Sequence, residues 1–254
     1  MKLNLAALLR DTWALWQRDH ALLLPLAGLT IFVPRLALQL LVPQWPMPDP
    51  EVAGDAAMQA WSEAFAIWVG NYGGWFVAVL ALGLWGTLSI VALYLDRGQP
   101  TVTGGMRRGL ALLPRYLLAM LLVGLPAGGM FSVAMAAPML LIFVMVPLLY
   151  VYARTTLIAA VLAAEAPTGA VASIVRSWRL TTGNGWQLAW VLAATMLGSS
   201  IFGSMFLALG KLAPGSMAAT GVAAAAATAV EVAGTLAVAL VAVVAYRRLA
   251  SSGT

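Results

Sequence analysis

Three charged residues lie inside long apolar stretches, where a charge is costly unless it faces a partner or water. They are Arg35, Arg154 and Glu231. If each stretch is a membrane-spanning helix, a rise of about 1.5 Å per residue puts Arg35 and Glu231 at similar depths below one membrane surface. We therefore expect Arg35 and Glu231 to form an ion pair. Such a pair either joins two helices or forms part of a proton or substrate site.

Arg154 is expected further from the outer surface than Arg35 and Glu231, and close to the cytoplasmic surface. There its side chain would reach the interface and bind either Glu165 or a lipid phosphate. The alternative is a simple anchor for the end of its helix. The sequence leaves these possibilities open.

The remaining polar residues do not suggest catalysis. The chain has no cysteine and one histidine, His20, which excludes thiolate nucleophiles and sites built from several histidines. The carboxylates are scattered, and no serine lies in a Gly-x-Ser-x-Gly motif. We therefore expect a protein that is not an enzyme and that binds no cofactor or metal.

The composition excludes an ordinary water-soluble globule. Of the 254 residues, 62% are hydrophobic and 9% are charged, whereas soluble domains carry about 25% charged residues. The net charge of +5 could indicate nucleic-acid binding. However, the arginines cluster in particular segments, as the positive-inside rule describes for membrane proteins, so no nucleic-acid partner is expected.

Six apolar segments are long enough to cross a bilayer about 30 Å thick. They are residues 21–42, 75–95, 116–136, 139–163, 186–209 and 222–246. Residues 43–74 contain acidic residues but neither Lys nor Arg, so they predict a long outer loop that carries a short surface helix at 56–69. We expect an all-α integral membrane protein with both termini in the cytoplasm.

The segments form three units within a single membrane domain, residues 1–254. The units are residues 1–95, 96–165 and 166–254. Each begins with a basic amphipathic segment and continues into two spans, which predicts three helices lying on the cytoplasmic membrane surface. Parallel repeats of this kind occur in transporters, although a duplicated membrane anchor would give the same pattern.

Arginines in the basic segments are candidates for binding lipid phosphates. They are Arg107, Arg108, Arg176 and Arg179. The segment Gly104–Arg108 would cradle a phosphate at the start of a helix, although a turn with positive-inside arginines explains the same residues. Further on, Gly124 and Gly128 form a GxxxG pair, which is compatible with close helix packing.

Residues 167–186 are the clearest of the three lead-in segments. Val171, Ile174, Val175 and Trp178 form one apolar stripe of a helix. Gly183 suits the end of that helix. We expect this helix to lie on the cytoplasmic surface with Trp178 in the bilayer.

A longer pattern includes this helix. It consists of an arginine in the fourth span, an acidic residue, then Arg-Ser-Trp-x-Leu-Thr-x-Gly and an aromatic residue. The matching residues are Arg154, Glu165, Arg176, Ser177, Trp178, Leu180, Thr181, Gly183 and Trp186. This pattern resembles the membrane domain attached to some bacterial glycerophosphodiester phosphodiesterases, and related stand-alone families of uncharacterised bacterial membrane proteins. The resemblance implies a six-span domain of the bacterial cytoplasmic membrane with no established chemistry. No catalytic domain is visible in the sequence, so diester hydrolysis is not expected.

Two functions remain open. The first is a non-enzymatic scaffold or accessory subunit that contacts membrane lipids and a partner membrane protein, in an oligomeric state that the sequence leaves open. The alternative is a transporter of a lipid or small amphiphile that uses Arg35, Arg154 and Glu231. A polar cavity that reaches Glu231 would favour transport, whereas a dry interface lined by alanine would favour the scaffold.

Overall fold

The computed structural model describes residues 3–47, 55–95, 101–136, 141–165, 167–212 and 216–251. These residues form α-helices joined by short connections, and the described part contains no strand. Six helical stretches are long and apolar enough to span a membrane. They are Leu5–Leu41, Ala57–Leu95, Val102–Ser132, Phe143–Ala164, Gly185–Gly210 and Met217–Ser251. The prediction of an all-α, multi-pass membrane protein is confirmed at this level.

The first amphipathic segment continues directly into the first span. Helix α1 (Leu5–Ala27) leads through a π-helical turn at Gly28–Phe32 into α2 (Val33–Leu41). The first lead-in segment, residues 4–18, does not form a helix of its own, because nothing after Arg18 breaks the helix. Arg18 instead donates hydrogen bonds to the neighbouring Asp19, and both residues remain helical.

The predicted outer loop is largely helical. Helix α3 (Asp55–Leu95) has 41 residues and includes most of residues 43–74. Five aromatic rings stabilise its first half, with neighbouring ring centroids 5.1 to 6.3 Å apart. These rings belong to Trp61, Phe65, Trp68, Tyr72 and Phe76. The ring contacts lie on both sides of Gly70, Gly73 and Gly74, and the helix continues through the predicted end of the loop at residue 74.

The second lead-in segment is also continuous with its span, in α4 (Val102–Ala136). The Thr101 hydroxyl accepts a hydrogen bond from the Gly104 amide, so this region starts a helix instead of forming a turn. A Cβ atom on Gly109 would lie 2.8 Å from the backbone nitrogen of Ser89 in α3, so these two helices pack closely. The GxxxG pair at Gly124 and Gly128 makes no close helix contact, because nothing lies within 4 Å of a Cβ atom built on either residue.

The fourth span is interrupted. It consists of α5 (Leu141–Thr155) and the short α6 (Ile158–Ala164). The hydroxyls of Thr155 and Thr156 donate to carbonyls of the preceding turn and so compete with helix continuation. Helix α6 is almost completely buried and contacts α3 and α4 as well as the helices that follow it. The connection expected between the spans at residues 116–136 and 139–163 lies outside the described residues.

The third unit has a separate short helix, as predicted. Helix α7 (Ala170–Leu180) ends shortly before Gly183, whose φ of 79° turns the chain into α8 (Gly185–Gly210). The last helix is α9 (Met217–Ser251). At its end, Arg248 forms an ion pair with Asp11 of α1.

Helices α2, α3, α4, α5, α8 and α9 form a ring in which each helix contacts the next. One end of this bundle carries Arg18, Arg108, Arg176 and Arg248, and we call it the basic end. Residues 43–47 lie at the opposite end, where Trp61 and Trp68 of α3 donate to the carbonyls of Pro46 and Pro43. Helix α6 lies inside the basic end.

Candidate functional site

A cavity of about 1240 Å³ lies within the ring of helices. Ligand sites commonly measure about 300–1,000 Å³, so this space is large enough for an amphiphile. It extends from Trp45 and Met47 at the opposite end to Thr156 and Ala159 beside α6. Its lining is apolar with scattered hydroxyl and amide groups, among them Gln39, Thr155, Ser199, Thr228 and Thr235.

Arg35 and Glu231 both line this cavity. The structure brings them together as the depth argument predicts, with 3.8 Å between Arg35 Nη1 and Glu231 Oε2. Their side chains are 38% and 55% exposed. Because this distance exceeds that of a normal hydrogen bond and both side chains are accessible, the pair is loose and each group can accept another partner.

A third residue supports the pair. The Thr235 hydroxyl accepts a long hydrogen bond of 3.5 Å from Arg35 and donates to the carbonyl of Glu231. One helical turn from the ion pair, Thr228 of α9 donates to the side chain of Gln39 of α2 at 2.7 Å. The sequence analysis missed Gln39 and Thr228, although Gln39 follows Arg35 by one turn on the same helix face.

Helix α6 closes the cavity at the basic end. Its residues Ile158–Ala163 are at most 4% exposed, so they fill the space between the surrounding helices. Arg108 donates to the carbonyl of Ala163 at 2.6 Å and thereby satisfies the C-terminal end of α6. Arg108 was a candidate for binding a lipid phosphate, and its bond to the carbonyl of Ala163 was not predicted from the sequence.

Glu165, the residue after α6, connects three elements. It accepts two hydrogen bonds from Arg176 Nε, at 3.0 and 3.1 Å, and one from the Tyr246 hydroxyl at 3.0 Å. These bonds join the end of α6 to α7 and α9. The predicted option of an Arg154–Glu165 pair is therefore wrong, because Arg176 and Tyr246 occupy the carboxylate.

Arg154 lies at the junction of α5, α7 and α8, and it is 5% exposed. Its guanidinium carbon is 4.5 Å from the centre of the Trp178 ring and 5.8 Å from that of Tyr150, in cation–π contacts. It donates one hydrogen bond of 3.3 Å, to the Thr182 hydroxyl. Among the described residues, no carboxylate forms an ion pair with Arg154.

The other residues of the family-like pattern surround the same junction. Ser177 donates to the carbonyl of Arg154 at 2.7 Å, and Thr181 donates to the carbonyl of Ser177 at 2.8 Å. Trp186 lies 5.0 Å from Tyr150, measured between ring centroids. Asn184, which follows Gly183 at the end of this segment, accepts a hydrogen bond from the Leu3 amide. The pattern thus joins three helices and the N-terminal segment.

The last two predicted phosphate ligands are Arg107 on α4 and Arg179 on α7. Both are exposed and neither forms an ion pair within the part of the chain that the structure describes. Their binding to lipid stays a prediction.

No family model matches this chain, and searches of curated proteins and of solved structures found no match. The resemblance to the membrane domain of glycerophosphodiester phosphodiesterases therefore stays a prediction. It rests on the residues that converge on the Arg154 junction.

Proposed function

We propose that this protein binds a lipid or small amphiphile in the cavity and transports it across the membrane. The observation that supports this proposal is a membrane cavity of about 1240 Å³ whose lining includes both Arg35 and Glu231. A cavity of this kind favours transport over a purely structural role. The proposed activity involves no catalytic chemistry.

The lining suits an amphiphile because it offers two kinds of contact. Apolar side chains such as Val79, Leu80 and Met196 would contact a hydrocarbon chain. The loose Arg35–Glu231 pair would exchange its own contact for charged groups of the head, since 3.8 Å leaves each partner incompletely bonded. The nearby hydroxyl of Thr235 would complete the polar contacts.

Helix α6 fills the bundle between the cavity and the outer face of the basic end, so a transport cycle would include this arrangement as its state closed at the basic end. If both termini are cytoplasmic, as the distribution of arginine predicts, this state opens towards the outside of the bacterial cytoplasmic membrane. Passage of the substrate would require α6 and α7 to shift together, because Glu165 joins them.

The proposal is tested with purified protein in vesicles that contain a fluorescently labelled phospholipid or a labelled single-chain amphiphile. Transfer between leaflets is measured by quenching the outer label with dithionite. Wild type is expected to accelerate transfer of at least one probe, and Glu231→Gln is expected to slow it about tenfold, since it removes the charge that holds Arg35.

The matched control is Glu63→Gln, which removes an exposed carboxylate of α3 that does not line the cavity. It should transfer the probes as fast as wild type. Transfer in wild type no faster than in protein-free vesicles, for both probes, would reject transport. Equal rates for Glu231→Gln and wild type would remove Glu231 from the mechanism.

A second candidate, a lipid-contacting scaffold or accessory subunit, is supported by α7. This helix exposes Val171, Val175 and Trp178, and Arg179 next to Trp178 is also exposed. Such a helix suits the membrane surface. Trp178→Asp is expected to reduce membrane insertion or stability, and native-level pull-downs in mild detergent should enrich a partner membrane protein. Normal insertion of Trp178→Asp, together with pull-downs that enrich nothing, would reject this role.

A further inference from the structure

The start of helix α8 has the features of an anion site. A helix of 26 residues carries partial positive charge at its N-terminus, where the first amides have no partner within the helix. Asn184 precedes the helix, but its side-chain oxygen accepts from Leu3 and does not cap α8. Amides at such a position bind phosphate and carboxylate groups in many proteins.

Arg154 provides an independent observation at the same place. Its side chain packs directly on the first residue of α8, because a Cβ atom on Gly185 would lie 2.9 Å from Arg154 Cδ. The residue is 5% exposed, and its Nε is buried with no hydrogen-bond partner among the described residues. A buried guanidinium with one long hydrogen bond is costly, and an anion would satisfy it.

Other groups of the junction do not supply this anion. Glu165 is the carboxylate closest in sequence, and it is bonded to Arg176 and Tyr246. The Trp178 ring offsets part of the charge through its cation–π contact, but it accepts no hydrogen bond from Arg154 Nε. The aromatic contact therefore still leaves Arg154 Nε without an acceptor among the described residues.

The surroundings indicate that the anion comes from the bilayer. Trp178 lies against the Arg154 guanidinium and Trp186 packs on Tyr150. These two rings are 39% and 54% exposed, and Trp190, one turn further along α8, is 71% exposed. Tryptophan favours the headgroup level of a membrane, where its ring contacts both acyl chains and polar groups. A lipid bound here would extend its acyl chains along the exposed side of α8.

We propose that the junction of α5, α7 and α8 binds the phosphate group of an anionic lipid. The phosphate oxygens accept from the guanidinium of Arg154 and from the first amides of α8. Thr182 is a positioning residue, because its hydroxyl accepts from Arg154 and donates to the carbonyl of Trp178. This lipid is a resident component of the basic end. The site is separate from the cavity, and the proposal does not depend on transport.

Native mass spectrometry of delipidated protein in a neutral detergent tests the proposal. The probes are phosphatidylglycerol, diacylglycerol with the same chains, and free glycerol phosphate. Wild type should bind phosphatidylglycerol at least about tenfold more tightly than diacylglycerol. Weak binding of glycerol phosphate would identify the lipid as the source of the phosphate. If glycerol phosphate bound as tightly as phosphatidylglycerol, the phosphate site would stand, but its ligand would be a free phosphate compound and not a lipid.

Variants identify the site. Arg154→Gln should weaken binding of phosphatidylglycerol about tenfold, and Thr182→Val, which changes an exposed residue and is expected to fold, about fivefold. The control Arg10→Gln removes an arginine whose side chain is 81% exposed and should bind like wild type. Equal affinity of wild type for phosphatidylglycerol and diacylglycerol would overturn the proposal. It would also be overturned if Thr182→Val, and Arg154→Gln where that variant folds, bound phosphatidylglycerol as tightly as wild type.

Discussion

The two ends of the bundle hold their charged groups in different ways. Facing the cavity, Arg35 and Glu231 approach to 3.8 Å and remain accessible. At the basic end, Glu165 receives three hydrogen bonds of 3.0 to 3.1 Å from Arg176 and Tyr246. A carboxylate held by two donors at hydrogen-bond distance is fixed in place, whereas one with a single loose partner is available to a ligand. The difference separates structural charges from candidate functional ones.

Packing follows the same division within one helix. At Gly109 of α4, a Cβ atom would lie 2.6 to 3.0 Å from Ser89 of α3, including its backbone. At Gly124 of the same helix, nothing lies within 4 Å. Helix α4 is thus closely packed on α3 near the basic end and has open space beside the cavity. Four substitutions, compared by SDS-induced unfolding in dodecyl maltoside micelles, test this comparison.

The largest effect is expected for Leu162→Ala in α6. Leu162 is fully buried, and the loss of its side chain leaves a void that costs about 3 kcal/mol of unfolding free energy. The control is Leu125→Ala in α4, whose side chain is 71% exposed and which should change stability by less than about 0.5 kcal/mol. Equal costs for the two substitutions would contradict a closely packed basic end.

The next effect is expected for Gly109→Ala. The added Cβ would overlap the backbone of Ser89, which cannot rotate away, so we expect a loss of about 2 kcal/mol. Gly124→Ala has open space and should be neutral or slightly stabilising, since alanine favours the helix. A stable Gly109→Ala protein would show that α3 and α4 can separate at this contact.

Arg176→Gln is expected to have a smaller effect. It removes two hydrogen bonds to Glu165, whose side chain is 28% exposed, and should cost about 1 kcal/mol. Arg179→Gln, three residues further along α7, removes an exposed arginine and should cost less than about 0.5 kcal/mol. If both variants unfold like wild type, Glu165 does not hold α7 in place.

The smallest effect on stability is expected for Arg35→Gln. Its ion pair is long and accessible, so removal should cost less than about 0.5 kcal/mol. Such a variant would test whether the pair serves a ligand, because a structural pair should stabilise the joined helices measurably. A loss as large as that in Arg176→Gln would identify Arg35–Glu231 as a structural link between α2 and α9.

The sequence was sufficient to find the spans but not the helix ends. The length of each apolar run and the charges that flank it locate the six segments, because a span must be long enough to cross the bilayer and apolar enough to lie in it. Whether a basic lead-in forms its own helix depends on a local break. Gly183 adopts a positive φ and separates α7 from α8, whereas no such residue follows Arg18, and α1 continues into its span. The similarity of the three lead-ins in composition concealed this difference.

The candidate sites were predictable only in part. Depth along two helices was enough to predict the proximity of Arg35 and Glu231. The contact between Leu3 and Asn184 joins residues 181 positions apart and has no periodic signal. The bonds of Glu165 to Arg176 and Tyr246 depend on the break after α5, which hydropathy does not reveal because Thr155 and Thr156 lie in an otherwise apolar run.

The length of α3 gives a means to locate the bilayer on this protein. Its 41 residues extend about 60 Å, roughly twice the thickness of the hydrocarbon core. The chain contains no cysteine, so a single cysteine at successive positions of α3 would be the only thiol present. Reactivity towards a water-soluble maleimide should fall where the helix enters the lipid and return where it leaves. Helix α3 would then serve as a depth gauge against which every other residue of the protein can be placed.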